Sequence, residues 1–247
     1  GWTFDGDNYS IDFCGNDTWC GLVELMKYDY GKYSQGYGFN PMDMIITVKN
    51  IGFKNGTFRK PASAILIRYE NDQTLDGEII ISNCFNHCDI GSDASGSGFV
   101  IVNVSYEYNI KITIENCFNT GDISGNFAGG IVGSGLMKEV NVYISNCYNT
   151  GTIYGQYAGG ITGANVYSEC TNLYNTGDIY GDYSSGICGS DNFGTITKSY
   201  NAGTLYGNKC AGFYCLNTDQ RGEHLYITIR SCYNIGSMKK NQGAGFI

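Results

Sequence analysis

The chain has 247 residues, of which 42% are hydrophobic, enough to build a core and too many for a disordered tail. It holds 36 Gly, 21 Tyr, 12 Phe and only 2 Pro, with 15% charged residues against about 25% in ordinary soluble domains, a composition of many strands and turns. The net charge of -8 repels a phosphate backbone and argues against nucleic acid as a partner, and apolar runs such as residues 62–67 fall far short of the ~20 residues of a spanning helix, which argues against membrane insertion.

Residues 1–44 match nothing later in the chain and read as an N-terminal cap or assembly segment. Helical composition appears only over residues 22–28. Trp2, Trp19 and the tyrosines at 28, 30, 33 and 37 suit the covering of an apolar cross-section, and Cys14 with Cys20 is a candidate disulfide. The chain opens on Gly1 rather than Met, so any targeting peptide is expected to have been removed or to lie outside this sequence. The 11 cysteines favour an oxidising compartment, and sequons at Asn8, Asn16, Asn55 and Asn103 matter only where the source glycosylates such sites.

From residue 45 to 247 the chain repeats. Asn-Cys-Phe-Asn-Thr-Gly-Asp-Ile-Ser-Gly begins at Asn116, Asn-Cys-Tyr-Asn-Thr-Gly-Thr-Ile-Tyr-Gly at Asn146, and Asn-Leu-Tyr-Asn-Thr-Gly-Asp-Ile-Tyr-Gly at Asn172. Looser copies start at Asn50, Asn83, Lys198 and Ser231, so the steps are 26, 30 or 33 residues, the period of a solenoid. Before each start, polar and aliphatic residues alternate with period two, placing Ile112, Ile114, Val142, Ile144, Ile227 and Ile229 on one inward face. A corner is expected at Asn116 and its equivalents. The Asn-Thr-Gly that follows reads as a second turn of positive φ, and the Asp-Ile-Ser and Gly-Gly-Ile-Val segments as two further strands.

These elements predict an all-β fold, a parallel β-helix of about seven rungs with three short strands per turn. It is expected to be right-handed by the crossover rule and roughly 30 to 35 Å long. The last copy stops within its third strand, so either the polypeptide is expected to continue or another subunit to stack there.

The pentads Gly-Gly-Ile-Val-Gly ending at Gly133, Gly-Gly-Ile-Thr-Gly at Gly163 and Ser-Gly-Ile-Cys-Gly at Gly189, each after Asn-x-Tyr/Phe-Asn-Thr-Gly, resemble the GLUG-type repeats of large bacterial surface proteins. The resemblance covers about residues 80–247. It implies an adhesive or presenting module at a cell or virion surface and supplies no catalytic residue. Cys88 departs from the pattern, standing where other copies have Gly121, Gly151, Gly177 and Gly203, and the metal-binding motif of surface proteases is absent.

Several columns invite a chemical reading. Cys84, Cys117, Cys147 and Cys232 share a slot with Leu173 and Ser199, the pattern of a small interior position. Cys188 falls opposite Tyr214, one residue from Cys215, which makes Cys188 and Cys215 a second candidate disulfide. Cys84, His87 and Cys88 lack the second ligand pair zinc wants, so no metal and no cofactor is expected. Asp89 and Asp122 fall on adjacent rungs but share their position with Thr57, Thr152 and Thr204 and have no basic partner, so an enzyme, such as a polysaccharide-degrading β-helix, is the weaker expectation. Asn86, Asn119, Asn149, Asn175, Asn201 and Asn234 read as an amide ladder, and Tyr148, Tyr154, Tyr157, Tyr174, Tyr180, Tyr183 and Tyr206 as an adhesive or packing face. The expected function is that of a non-catalytic extracellular subunit stacking head to tail on copies of itself into a surface fibre. The alternative is an adhesin or stalk module binding glycan or a host surface.

Overall fold

The computed structural model describes residues 2–14, 44–59, 63–69, 76–91, 96–104, 109–134, 137–215, 226–240 and 243–245. Among them there are strands and turns but no helix, and the strands pair in parallel. The fold is the parallel β-solenoid that the repeat predicts. The candidate helix at 22–28, Cys20, Trp19, Asn16 and the tyrosines at 28, 30, 33 and 37 lie outside the described residues.

Four ladders run along the rod. The first contains Asp76–Ser82, Asn109–Glu115, Met137–Ser145, Val166–Thr171, Phe193–Thr197 and Ile227–Arg230, beginning on Met44–Lys54. Its alternation turns Ile46, Ile79, Ile112 and Val142 inward as one column and Val48, Ile81, Ile114 and Ile144 as the next. All eight are buried, and each such side chain contributes about 1.5–3 kcal/mol.

The corner that ends this ladder is set by backbone conformation. Asn50, Asn83, Asn116, Asn146, Asn172, Lys198 and Ser231 all adopt φ between 50° and 55°. Asn tolerates this left-handed region better than other side chains, which is why it fills five of the seven positions. Beyond the corner lies the second ladder, Phe85–Asn86, Phe118–Asn119, Tyr148–Asn149, Tyr174–Asn175, Tyr200–Asn201 and Tyr233–Asn234. Met44–Lys54 passes its own corner unbroken, so the first two ladders form one bent sheet. The third ladder runs through Thr57–Phe58, Asp89–Gly91, Ile123–Ser124, Ile153–Tyr154 and Ile179–Tyr180 to bridges at Leu205 and Met238. The fourth carries Ile65–Tyr69, Gly98–Val104 and Gly129–Val132, then single bridges from Gly129 through Gly159, Ser185 and Ala211 to Ala244.

The interior column beginning at Ile46 changes character at Ser168 and Gly194, which sit above Val142. Across the interior from them Tyr214 is wholly buried beside Cys170 and Cys188, and Cys188 also faces Ser168. The Tyr214 hydroxyl makes no well-formed hydrogen bond and has only the weakly polar Cys188 thiol beside it.

At the N-terminal end, Trp2–Asp12 lies parallel on Met44–Lys54, so the first strand of the chain belongs to the same sheet. Asp5 receives Lys49 at 3.0 Å and the Asn50 amide at 3.0 Å, and Asp12 receives Asn55 at 3.0 Å. Phe13 then turns under the core, edge-on to Phe58 at 5.0 Å and stacked on Phe53 at 6.5 Å.

Candidate functional site

The asparagine column is the most regular feature of the rod. Asn86, Asn119, Asn149, Asn175 and Asn201 are fully buried. Each uses one hydrogen of its Nδ2 for the carbonyl two residues on, Asn149 to Gly151 O at 2.8 Å for example, and the other for Oδ1 of the next member. These inter-rung bonds run at 2.7, 2.7, 2.9, 2.9 and 2.9 Å from Asn86 to Asn234. Every buried amide hydrogen therefore has an acceptor, the condition under which a buried polar column stabilises a fold.

The glycines around this ladder serve space rather than conformation. The glycine of Asn-Thr-Gly was expected to supply positive φ, yet Gly121, Gly151, Gly177 and Gly203 do not adopt it. A β-carbon on Gly151 would instead lie 2.0 Å from Gly121 O, and one on Gly177 1.9 Å from Gly151 O. The turn is closed by the Asn carboxamide, and glycine lets successive turns touch.

The cysteine slot also has a polar logic. The thiols of Cys84, Cys117, Cys147 and Cys232 donate across the corner to the carbonyl two residues earlier, at 3.2, 3.2, 3.1 and 3.1 Å. Ser199 does the same at 2.8 Å, and its Oγ accepts the Leu173 amide at 3.0 Å just as Cys147 Sγ accepts that of Cys117 at 3.4 Å. The exchange of Cys for Ser at 199 was the sequence signal for this role. Burial raises the Cys117 thiol well above its ordinary range.

The ten described cysteines, Cys14 included, are all thiols. The expected Cys188–Cys215 bridge is not formed. The register sets Tyr214 opposite Cys188 and Ser190 opposite Cys215, so Cys188 faces Cys170 while the Cys215 thiol donates to Lys209 O at 3.0 Å. Burial pushes the Cys215 thiol up to about 12 and that of Cys88 up to about 11.

Asp89 and Asp122 do fall on adjacent rungs, but each carboxylate takes a backbone amide from the rung above. Asp89 accepts from Asp122 N at 3.0 Å, Asp122 from Thr152 N at 2.8 Å, and Asp178 from Thr204 N at 2.9 Å. His87 packs on Phe85 and Phe118, with centroids at 4.8 and 5.7 Å, and shares a hydrogen bond with Thr120. Its imidazole is held below the usual range by burial. It borders a shallow depression with Asn55, Gly56, Thr57 and Asp89. Among the described residues no three His, Cys, Asp or Glu side chains converge as metal ligands.

The tyrosines expected to form one face are divided among three columns. Phe85, Phe118, Tyr148, Tyr174, Tyr200 and Tyr233 stack at 4.7–5.3 Å on the second ladder. Tyr154, Tyr180 and Tyr206 stack on the third, at 5.3 and 4.3 Å. Phe127, Tyr157 and Tyr183 stack at the following corner, at 5.1 and 5.2 Å, and Lys209 lies over the Tyr183 ring at 4.9 Å. This corner column adopts φ of 56–59°, an uncommon conformation for an aromatic residue, and although the aromatic recurs in the repeat its left-handed backbone is not visible in the sequence. Rings inside a column, such as Tyr174 and Tyr180, have both faces against neighbouring rings, whereas end rings such as Tyr154 and Tyr206 are stacked on one face only. Tyr154 and Tyr180 are the most open of the seven, at 44% and 40%.

No helix among the described residues is long and apolar enough to cross a membrane. No protein-family model matches the chain, and neither a characterised protein nor a solved structure matches it.

Proposed function

We propose that the chain is a non-catalytic structural rod of the cell or virion exterior, a subunit that stacks end to end on its own copies to build a surface fibre. The observation that carries this reading is the direction of its interactions. The amide ladder, the aromatic columns and the Asp-to-amide contacts all run along the axis, each rung offering the next the same donors, acceptors and rings. The same set recurs on the rung of Ile227–Arg230 and Tyr233–Asn234, where Tyr233 is 52% and Ile235 69% exposed. A heterologous contact between such edges propagates as a filament. The surface location rests on the resemblance of the pentads to GLUG-type repeats.

Electron micrographs of the purified chain across a concentration series test the proposal. Unbranched filaments that lengthen with concentration are expected, and isolated particles at every concentration would overturn it.

The second reading, an adhesin or stalk module, is favoured by the exposed edges of Tyr154 and Tyr180. With both faces of Tyr180 against Tyr154 and Tyr206, recognition of a glycan there would fall to the phenol hydroxyls rather than to stacking of sugar on ring. Loss of glycan-array binding on Tyr154→Phe and Tyr180→Phe substitution is its expected result.

A further inference from the structure

We propose that Tyr180 and Tyr206 form an oxidative modification site, at which a peroxide, used by a peroxidase, joins the two phenols into a dityrosine bridge between adjacent turns.

The geometry singles out this pair. The rings lie 4.3 Å apart and 3° from parallel, whereas the other stacked Tyr–Tyr pairs lie at 4.7–5.3 Å. Both residues follow buried members of the third ladder, Ile179 and Leu205, which are bridged to each other. The backbone thus holds the two side chains in register while their outer ends remain free to turn. Tyr180 is 40% exposed and Tyr206 half-buried, so an oxidant reaches them from solvent. The near-parallel stack places the two phenols side by side. The column also stops there. Leu205 is bridged to Met238, which places Lys239, not a further ring, above Tyr206, and Ser124 lies below Tyr154. Among the described residues no further ring stacks on this column beyond its three members.

The chemistry balances with one peroxide. Each phenol loses one electron and one proton, and hydrogen peroxide takes up both pairs to become two waters. The two radicals bond through the ring carbons ortho to their oxygens, and the ring hydrogens at those carbons move to the oxygens as the rings regain aromaticity. The product has lost two hydrogen atoms and has gained a carbon–carbon bond joining the copies that begin at Asn172 and Lys198.

Dilute full-length chain treated with hydrogen peroxide and a haem peroxidase tests this, read by dityrosine fluorescence, intact mass and tryptic mapping. Lys198 lies between the two residues, so trypsin separates them unless they are bridged. The expected result is a monomer lighter by two hydrogens and a linked peptide pair containing Tyr180 and Tyr206. That pair is lost in Tyr180→Phe and Tyr206→Phe and retained in Tyr154→Phe. Phe already occupies stacked positions at 85, 118 and 127, so these variants keep the column intact. A link mapped to Tyr148, Tyr174 or Tyr200, or links formed only between molecules, would overturn the assignment.

Discussion

Gly160 faces the carboxamide of Asn175 so closely that a β-carbon there would stand 2.5 Å from its Cγ and 2.2 Å from Gly186 O. The same contact recurs between Gly130 and Asn149, Gly186 and Asn201, and Gly212 and Asn234. The Gly-Gly-Ile pentad and the asparagine column are therefore two halves of one device: the fourth ladder is stripped of side chains where the amide ladder fills the interior. Gly160→Ala is expected to destabilise the fold by about 3 kcal/mol, because the added atom meets backbone that cannot move without displacing its neighbours. Gly245→Ala, where a β-carbon meets nothing within 4 Å, is the matched control and should be near neutral by urea denaturation.

Asn149→Asp removes both amide donors and sets a carboxylate against Oδ1 of Asn175. Burial and that oxygen both disfavour the anion, so the folded-state pKa of the new group lies above its unfolded value of about 3.9. Stability relative to the parent is then best preserved below about pH 4 and is lost as pH rises through the folded pKa, reaching a cost of about 3–5 kcal/mol at neutral pH. Chemical denaturation at acid and neutral pH reads the difference, and a pH-independent cost would contradict a buried, fully bonded ladder.

Tyr214 is wholly buried, and its hydroxyl has only the weakly polar Cys188 thiol beside it, with no well-formed hydrogen bond. Tyr214→Phe keeps the ring and removes the desolvated group, so a stabilisation of about 1 kcal/mol is expected. Tyr214→Ala opens a cavity and should cost about 3–5 kcal/mol. Thermal unfolding of both variants checks the opposite signs.

Asp5 is held down to about 2, below its ordinary 3.8, first by the backbone amide of Asp7 and then by Asn50 and Lys49. Asp12 is lowered chiefly by the amide of Cys14 and by Asn55. A carboxylate with a depressed folded pKa contributes its attachment above about pH 4 and loses it as pH falls through about 2. The Trp2–Asp12 strand should therefore loosen in that window. Amide exchange at Asp7 and Cys14 is expected to accelerate there beyond the intrinsic change, and unaltered protection would contradict the clamp.

The repeat made much of this architecture legible, because a solenoid writes each structural column as one recurring residue. Asn116 and its equivalents announce the corner, since few other side chains accept its backbone angle, and Asn119 and its equivalents announce the ladder. What stayed hidden depends on contacts between columns. The glycine at 121 looks like a turn former and is a spacer, which only the approach of Cys88 O, 2.0 Å from its would-be β-carbon, reveals. Tyr157 and Tyr183 read as surface aromatics, and no sequence rule places tyrosine in a left-handed corner. The placing of Tyr214 across the interior from Ser168 and Gly194 joins segments that share no pattern, and the same register that brings Tyr214 to Cys188 turns Cys215 away from it.

The stacking of one molecule on another is tested most directly by sedimentation velocity over a rising concentration series, comparing the parent chain with Ile235→Lys, a charge placed at an exposed apolar position of the rung that carries Tyr233–Asn234. The account predicts a sedimentation coefficient that climbs with concentration in the parent and stays at the monomer value in the variant. A parent chain that sediments as a monomer throughout, or one whose association is untouched by Ile235→Lys, would contradict it.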